Sequence, residues 1–340
     1  MELTRGGQVD RAASLLPRIT TTQVKAQALG QMGLELVRRG NPNAARTYLI
    51  QAAMTASDTV YPPLELARTL AAEGEPDLAL AMLSALSDGE YKARGLNELA
   101  VSYAQAGDAA TTREVLRQAL QAADAIPEDY RQAEMVQEIL RQAIALEVYE
   151  VAFEIRQNPA YNVFDPFEDY TAIAIAAAHS GQFETAQKAL AKIDPSYIGY
   201  ADRARFAIAV AYAETGQFEE ALATAEAMNQ SYARYIHALA AIAVRYQQAG
   251  KTEDAAATLA RAEREISDLF TPEEPLIALN DIALEFAKAK QPERAARFLP
   301  KRSTQPTLFL KDTATFQRWR WRLKPAGSST EPGPWRFSSV

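Results

Sequence analysis

The sequence contains no cysteine among its 340 residues. This absence excludes disulfide bridges, thiolate metal sites and cysteine nucleophiles, and it suits a reducing compartment. The chain also lacks any run of the roughly 18 consecutive apolar residues that a membrane-spanning helix needs. Its first residues, MELTRGGQVDRAAS, include no apolar segment of signal-peptide length. We therefore expect a soluble, cytoplasmic protein.

The chain also offers little from which an active site could be built. It has no G-x-x-x-x-G-K-[ST], G-x-G-x-x-G, G-x-S-x-G or H-E-x-x-H motif. Its two histidines, His179 and His237, lie too far apart for the i, i+4 spacing of a helical metal site. Acidic pairs such as Glu219–Glu220 fit solvated faces or the first turns of helices. The sequence thus predicts no enzymatic activity, no catalytic residue, no cofactor and no metal.

Charge is unevenly distributed along the chain. The net charge is −7, but residues 301–340 hold eight Lys/Arg against two acidic residues, which leaves −13 for residues 1–300. Binding to nucleic-acid phosphates requires a basic surface. We therefore expect that the body of the protein does not bind nucleic acid.

One pattern recurs along the acidic body. Residues 209–228, AVAYAETGQFEEALATAEAM, repeat the pattern of residues 174–193, AIAAAHSGQFETAQKALAKI. Both stretches hold a glycine, followed five residues later by an alanine, with apolar residues at helical spacing on either side. The same pair occurs as Gly7/Ala12, Gly40/Ala45, Gly74/Ala79, Gly181/Ala186, Gly216/Ala221 and Gly250/Ala255, and in partial form as Gly107/Thr112, Glu147/Ala152 and Lys290/Ala295. The spacings of 33, 34, 33, 40, 34, 35, 34 and 40 residues are typical of a solenoid.

Each unit is interpreted as two antiparallel helices joined at the glycine. We expect helix A over 202–214 and helix B over about 218–229 in the unit around Gly216, because glycine readily adopts the left-handed conformation that ends a helix. Small residues are expected where the two helices approach, since a larger side chain would separate them. These slots are Gly33, Ala67, Ala100, Ala209, Ala243 and Ala283 on helix A, opposite the anchor alanine on helix B.

These units resemble the tetratricopeptide repeat (TPR) family, whose motif of about 34 residues has a small slot on helix A and an alanine after the turn. The resemblance covers roughly residues 5–300 and implies an all-α fold, an α-solenoid of antiparallel helix pairs in a right-handed superhelix. It predicts a partial repeat (helix B only) at residues 1–20, eight repeats at 21–300, and a tail at 301–340. The start of the chain is interpreted either as a fragment or as a native end.

The two spacings of 40 residues predict a longer helix B and an added Pro/acidic loop after Gly107 and after Gly250. Because the anchors from residue 7 to residue 147 lie 140–143 residues before those from 147 to 290, we infer a tandem duplication of a four-repeat block.

By the resemblance, the A helices line a concave groove that binds a partner. The family register places twelve residues toward it: Arg68, Arg94, Asn97, Val101, Arg141, Thr171, Arg203, Phe206, Val210, His237, Val244 and Asn280. We expect a segment with apolar anchors and some acidic character, bound by the spaced arginines. The alternative is that the apolar residues only pack between helices and the arginines pair with Glu of adjacent units.

The last forty residues lose the repeat and contain all three tryptophans, Trp319, Trp321 and Trp335. The stretch FQRWRWRLK (316–324) alternates aromatic and basic residues. One interpretation is a disordered tail or out-of-frame translation. The other is a tail that binds an anionic surface, such as RNA or an acidic membrane.

Taken together, these features predict a non-enzymatic scaffold that binds a protein or peptide segment of unknown identity. Two other hypotheses stay open: a regulatory or substrate-presenting arm of a larger enzyme complex, and an enzyme in its own right.

Overall fold

The structure is a computed structural model that describes residues 8–56, 62–87, 89–161, 165–229, 233–269 and 273–299. The described chain is helical and holds no strand, which confirms the all-α prediction. The tail at 301–340 and the first anchor glycine, Gly7, lie outside the described residues.

A single helix, α1 (Val9–Leu15), precedes eight helix pairs in the described chain. In chain order the pairs are α2 (Thr22–Arg38) with α3 (Pro42–Thr55), α4 (Pro62–Ala72) with α5 (Pro76–Ser84), α6 (Gly89–Gln105) with α7 (Ala109–Ala123), α8 (Asp129–Ala145) with α9 (Tyr149–Gln157), α10 (Pro166–His179) with α11 (Phe183–Leu190), α12 (Ile198–Glu214) with α13 (Phe218–Glu226), α14 (Ala233–Gln248) with α15 (Thr252–Glu265), and α16 (Glu274–Lys288) with α17 (Pro292–Phe298). Short 3-10 turns follow α1, α9 and α15, at Leu16–Arg18, Pro159–Tyr161 and Ile266–Asp268.

The helices form two compact units, Met1–Ile208 and Ala209–Val340, and the division falls inside α12. In the first unit, the first helices of successive pairs pack side by side, α2 on α4, α4 on α6, α6 on α8 and α8 on α10. Second helices also meet, α3 with α5 and α7 with α9. In the second unit α16 packs on α14. Each unit therefore consists of pairs whose contacts run mainly to their sequence neighbours.

Every described pair is joined by the same turn. The anchor residue has positive φ at Gly40 (72°), Gly74 (84°), Gly107 (77°), Gly181 (75°), Gly216 (81°) and Gly250 (78°), which confirms the prediction of a left-handed helix end. The Gly40 N–H donates to the carbonyl of Val37 and the Asn41 N–H to that of Leu36, and the other turns repeat both bonds. This is the Schellman arrangement, which satisfies the last carbonyls of the first helix.

Two turns of the same geometry lack glycine. Glu147 and Lys290 both have φ of 60°, and both turns make the two Schellman hydrogen bonds. The partial repeats that sequence analysis aligned at these positions are therefore complete in backbone geometry. A side chain with a Cβ is strained in this conformation.

The small slots hold the two helices of each pair together. The anchor alanines of the helix pairs are buried, with Ala45, Ala79, Ala186 and Ala221 fully inaccessible, whereas Ala12 in α1 is half-buried. A Cβ added at Gly33 would lie 2.6 Å from the Cδ2 atom of Leu49 on the partner helix. The predicted close approach between the two helices is therefore confirmed at this pair.

The 40-residue spacings have the expected effect on helix length. Helices α7 and α15 have 15 and 14 residues, whereas α5, α9 and α13 have nine. The length of α3, also 14 residues, was not predicted, because the following first helix, α4, is only 11 residues long and the spacing stays at 34. A longer helix followed by a shorter one therefore leaves the repeat spacing unchanged, so the spacing does not reveal either length.

Candidate interaction surface

Two clefts flank the short helix α4 in the first unit. One, of about 370 Å³, lies between α2, α3 and α4, and the other, of about 330 Å³, lies between α4 and α6. Alanine, glycine and leucine supply much of both walls. The polar residues of the first cleft include Gln27, Gln31, Glu65 and Thr69, and those of the second include Ser102 and Gln105.

Two glycines inside first helices shape these clefts. A Cβ at Gly30 would lie 2.8 Å from the Cδ2 atom of Leu66, and one at Gly95 would lie 2.6 Å from the Cδ2 atom of Leu83 and 2.9 Å from that of Leu64. Both positions therefore allow neighbouring helices to approach closely. Sequence analysis did not select them, although an isolated glycine within a helical pattern is a signal for such packing.

The predicted groove arginines are mostly occupied by carboxylates. Arg68, at the wall of the second cleft, donates through Nε and Nη2 to the two carboxylate oxygens of Glu98, each at 2.8 Å. Arg203 makes a similar fork on Glu168, at 2.9 and 3.1 Å. In both cases the carboxylate belongs to the first helix of an adjacent pair, which is the alternative that sequence analysis left open.

The other two arginines differ from each other. Arg94 lies 3.4 Å from Glu90 of its own helix, and Glu90 also binds Arg131 of α8 at 3.1 Å. Arg141 is exposed and makes no ion pair with another described residue. Of the four arginines, Arg141 is the one with its charge available to an incoming carboxylate.

Three candidates do not face solvent. Asn97 is 3% exposed, and Thr171 and Val244 are fully buried. The Thr171 hydroxyl donates to the carbonyl of Phe167 at 2.7 Å, as expected of a threonine packed within a helix. We therefore remove these three from the candidate surface, because a buried side chain offers no area to a partner. Val101, Phe206, Val210 and Asn280 are half-buried.

His237 belongs to a charged network in the second unit. Its Nε2 lies 3.1 Å from Glu285 Oε1, and its Nδ1 lies 3.5 Å from Asp281 Oδ2. Glu285, 2% exposed, also accepts from Arg245 Nη1 at 2.9 Å and Lys288 Nζ at 2.7 Å. The network links α14 to α16, so the contacts of His237 are structural.

The pKa values of this network follow from burial and pairing. Burial alone would raise the pKa of Glu285, but hydrogen bonds and charges from His237 and Lys288 lower it to about 2. Burial raises the pKa of Asp281, which His237 only partly offsets. Burial would lower the pKa of Arg245, but the carboxylates of Glu214 and Glu285 raise it overall.

A second buried ion pair joins the fourth and fifth helix pairs of the first unit. Arg156 Nη1 on α9 lies 3.0 Å from Asp169 Oδ2 on α10, although the two atoms are not aligned as a hydrogen bond. Asp169 Oδ1 accepts from Gln137 on α8 at 2.8 Å, and Arg156 Nη2 donates to the carbonyl of Tyr161. Burial raises the pKa of Asp169 despite these partners. The cluster connects three helices and opens to no described cavity.

The described residues contain no group of three or more His, Asp or Glu side chains arranged to hold a metal ion. No helix among the same residues is both long and apolar enough to cross a membrane.

No protein-family model matches the chain, and no curated protein is significantly similar to it.

Proposed function

We propose that this chain is a TPR-like α-solenoid, a right-handed superhelix of helix pairs that serves as a non-enzymatic scaffold. Its partner is a protein or peptide segment that lies along the first helices of the first unit. The segment places apolar side chains in the two clefts beside α4. The observation that carries the proposal is the pair of alanine-lined and glycine-lined clefts beside α4.

The chemistry of the clefts supports a segment with apolar anchors. Apolar side chains gain free energy when they leave water for such walls, while the amides of Gln27 and Gln31 can bond the backbone of an extended chain. Arg68 is already held by Glu98 at the wall of the second cleft. A preference for acidic segments therefore depends on Arg141 alone, in place of the four arginines predicted from sequence.

A peptide-array screen with substituted proteins tests the proposal. Gln31→Trp fills the first cleft and Ser102→Trp fills the second, and each is expected to weaken a selected peptide by about tenfold or more, equivalent to about 1.4 kcal/mol. Gln121→Trp, on the exposed side of α7, is the matched control. If both cleft variants bind the peptides as tightly as the unsubstituted chain, the segment does not bind here.

A further inference from the structure

The last helix pair exposes apolar positions that are covered in the other pairs. Leu276, fourteen residues before the turn residue Lys290, is 37% exposed, and its neighbour Ile277 is 49% exposed. At the register position of Leu276, six other pairs have a described side chain, which is buried in five of them and half-buried at Phe167. The buried equivalents are Ala26, Ala93, Ala133, Asp202 and Ile236.

Leu279, eleven residues before the same turn, shows the same difference. It is half-buried, as Arg205 is at the equivalent position of the α12 pair, whereas Leu29, Leu96, Val136, Tyr170 and Leu239 are buried there. In α14 both positions are fully inaccessible, and the next first helix, α16, packs on α14. The described chain provides no equivalent helix for α16. We call the surface formed by Leu276, Ile277, Leu279 and the preceding Glu273 and Glu274 the terminal face.

The terminal face is acidic, and residues 316–324 of the same chain carry the complementary positive charge. Glu273 and Glu274 precede the exposed leucine and isoleucine directly, so apolar side chains lie next to carboxylates. Residues 316–324, FQRWRWRLK, combine four cations with Phe316, Trp319, Trp321 and Leu323. An alternation of aromatic and basic residues matches a surface that is both apolar and acidic.

The chain between Leu299 and Phe316 is long enough for residues 316–324 to reach the terminal face. Phe316 follows Leu299, the last described residue, by 17 residues, which can span at most about 60 Å. Helix α16, with 15 residues, is only about 22 Å long. A tether of this kind gives an effective concentration on the order of millimolar, so even a weak contact is mostly formed.

We propose that residues 316–324 bind the terminal face of the same chain and cover Leu276 and Leu279. Arginine side chains of the segment pair with Glu273, and its tryptophans cover the apolar residues. The proposal concerns the last helix pair, so it does not depend on whether the clefts beside α4 bind a partner.

Tryptophan emission provides a direct test, because all three tryptophans lie in residues 319–335. In the full chain with Trp335→Phe, emission reports on Trp319 and Trp321 only. We expect blue-shifted emission that acrylamide quenches less than that of a free peptide of residues 316–324. Leu276→Glu with Ile277→Glu is expected to abolish the shift, whereas Met54→Glu, at an exposed residue of the first unit, leaves it unchanged.

Three results would overturn the proposal. Emission as red-shifted as that of the free peptide would show that the tryptophans are not covered. A blue shift that survives the double substitution would place them on another surface. A blue shift that appears only with dimers in light scattering would make the occupied face that of a second copy.

Discussion

The residue at the end of each first helix decides whether the turn is relaxed or strained. At the six glycine turns an added Cβ would meet nothing within 4 Å, so the need for glycine comes from positive φ and not from crowding. Glu147 and Lys290 adopt the same conformation with a side chain. Strain at these two positions is therefore an identifiable weakness of the fold.

Glycine at either position is expected to stabilise the protein. Glu147→Gly and Lys290→Gly each relieve about 1–2 kcal/mol of left-handed strain and lose about 0.4–1 kcal/mol to the greater freedom of the unfolded chain. The net gain is about 0.5–1 kcal/mol, measured by urea unfolding. Gly107→Ala, in the matching turn, is expected to destabilise the protein, and stabilisation by this control would contradict the explanation.

Gly33 must be small because of the side chain that contacts it, and not because of its backbone conformation. Gly33→Ala places a methyl group 2.6 Å from Leu49 Cδ2 and is expected to cost about 1–3 kcal/mol of unfolding free energy. Gly199→Ala in α12 is the control, because nothing lies within 4 Å of its Cβ and alanine favours the helix. Equal effects in thermal unfolding would exclude crowding as the cause. In a protein that already carries Leu49→Ala, Gly33→Ala should cost less unfolding free energy than it does in the unsubstituted protein.

At the scale of helices, Glu285 joins α14 to α16. Glu285→Gln removes the buried carboxylate that His237, Arg245 and Lys288 share and is expected to destabilise the protein by about 3–5 kcal/mol. Glu214 pairs with the same arginine, but its side chain is 50% exposed, so Glu214→Gln should cost at most about 1 kcal/mol. Denaturant unfolding of both variants measures the difference. A similar loss for the two would show that burial does not decide the strength of this network.

The same carboxylate predicts a dependence of stability on pH. The pKa of Glu285 is about 2 in the folded protein, below its ordinary value of about 4.5. Its ionised form therefore stabilises the fold above about pH 4.5, and this contribution is lost as the pH falls toward 2. The difference in unfolding free energy between the unsubstituted protein and Glu285→Gln should narrow from neutral pH to about pH 3.

Asp281 has the opposite sign. Burial raises its folded pKa, so its contribution is most favourable at acid pH and declines as the pH rises through the folded value. Asp281 is present in both proteins, so a difference that fails to narrow on acidification would contradict the role assigned to Glu285.

The helices and turns could be predicted from the sequence, but the pairing of charges between helices could not. The Gly/Ala register is local, so it located the left-handed turns, including those at Glu147 and Lys290. Many ion pairs join residues 30 or more positions apart, such as Arg68 and Glu98, 30 positions apart, or His237 and Glu285, 48 positions apart. A pattern within one helix carries no information on which carboxylate is opposite, so arginines expected to bind a partner were found bound already.

For the whole molecule, contacts between neighbouring pairs predict unfolding in more than one step. Repeat arrays unfold approximately by local units and nearest-neighbour terms, and this chain has two compact units. We expect Gly33→Ala to shift only the transition of residues 1–208 and Glu285→Gln only that of residues 209–340, because the two sites lie in different units. Far-UV circular dichroism and hydrogen exchange measure the two transitions. A single transition that both variants shift equally would show one cooperative unit.

The recurrent Schellman turn has a consequence for how such a chain changes over evolutionary time. Each pair carries its own closing hydrogen bonds and relies mainly on the pair before and the pair after it. Whole pairs can therefore be gained, lost or exchanged by recombination without the invention of a new core, provided that each junction preserves the register of its small side chains.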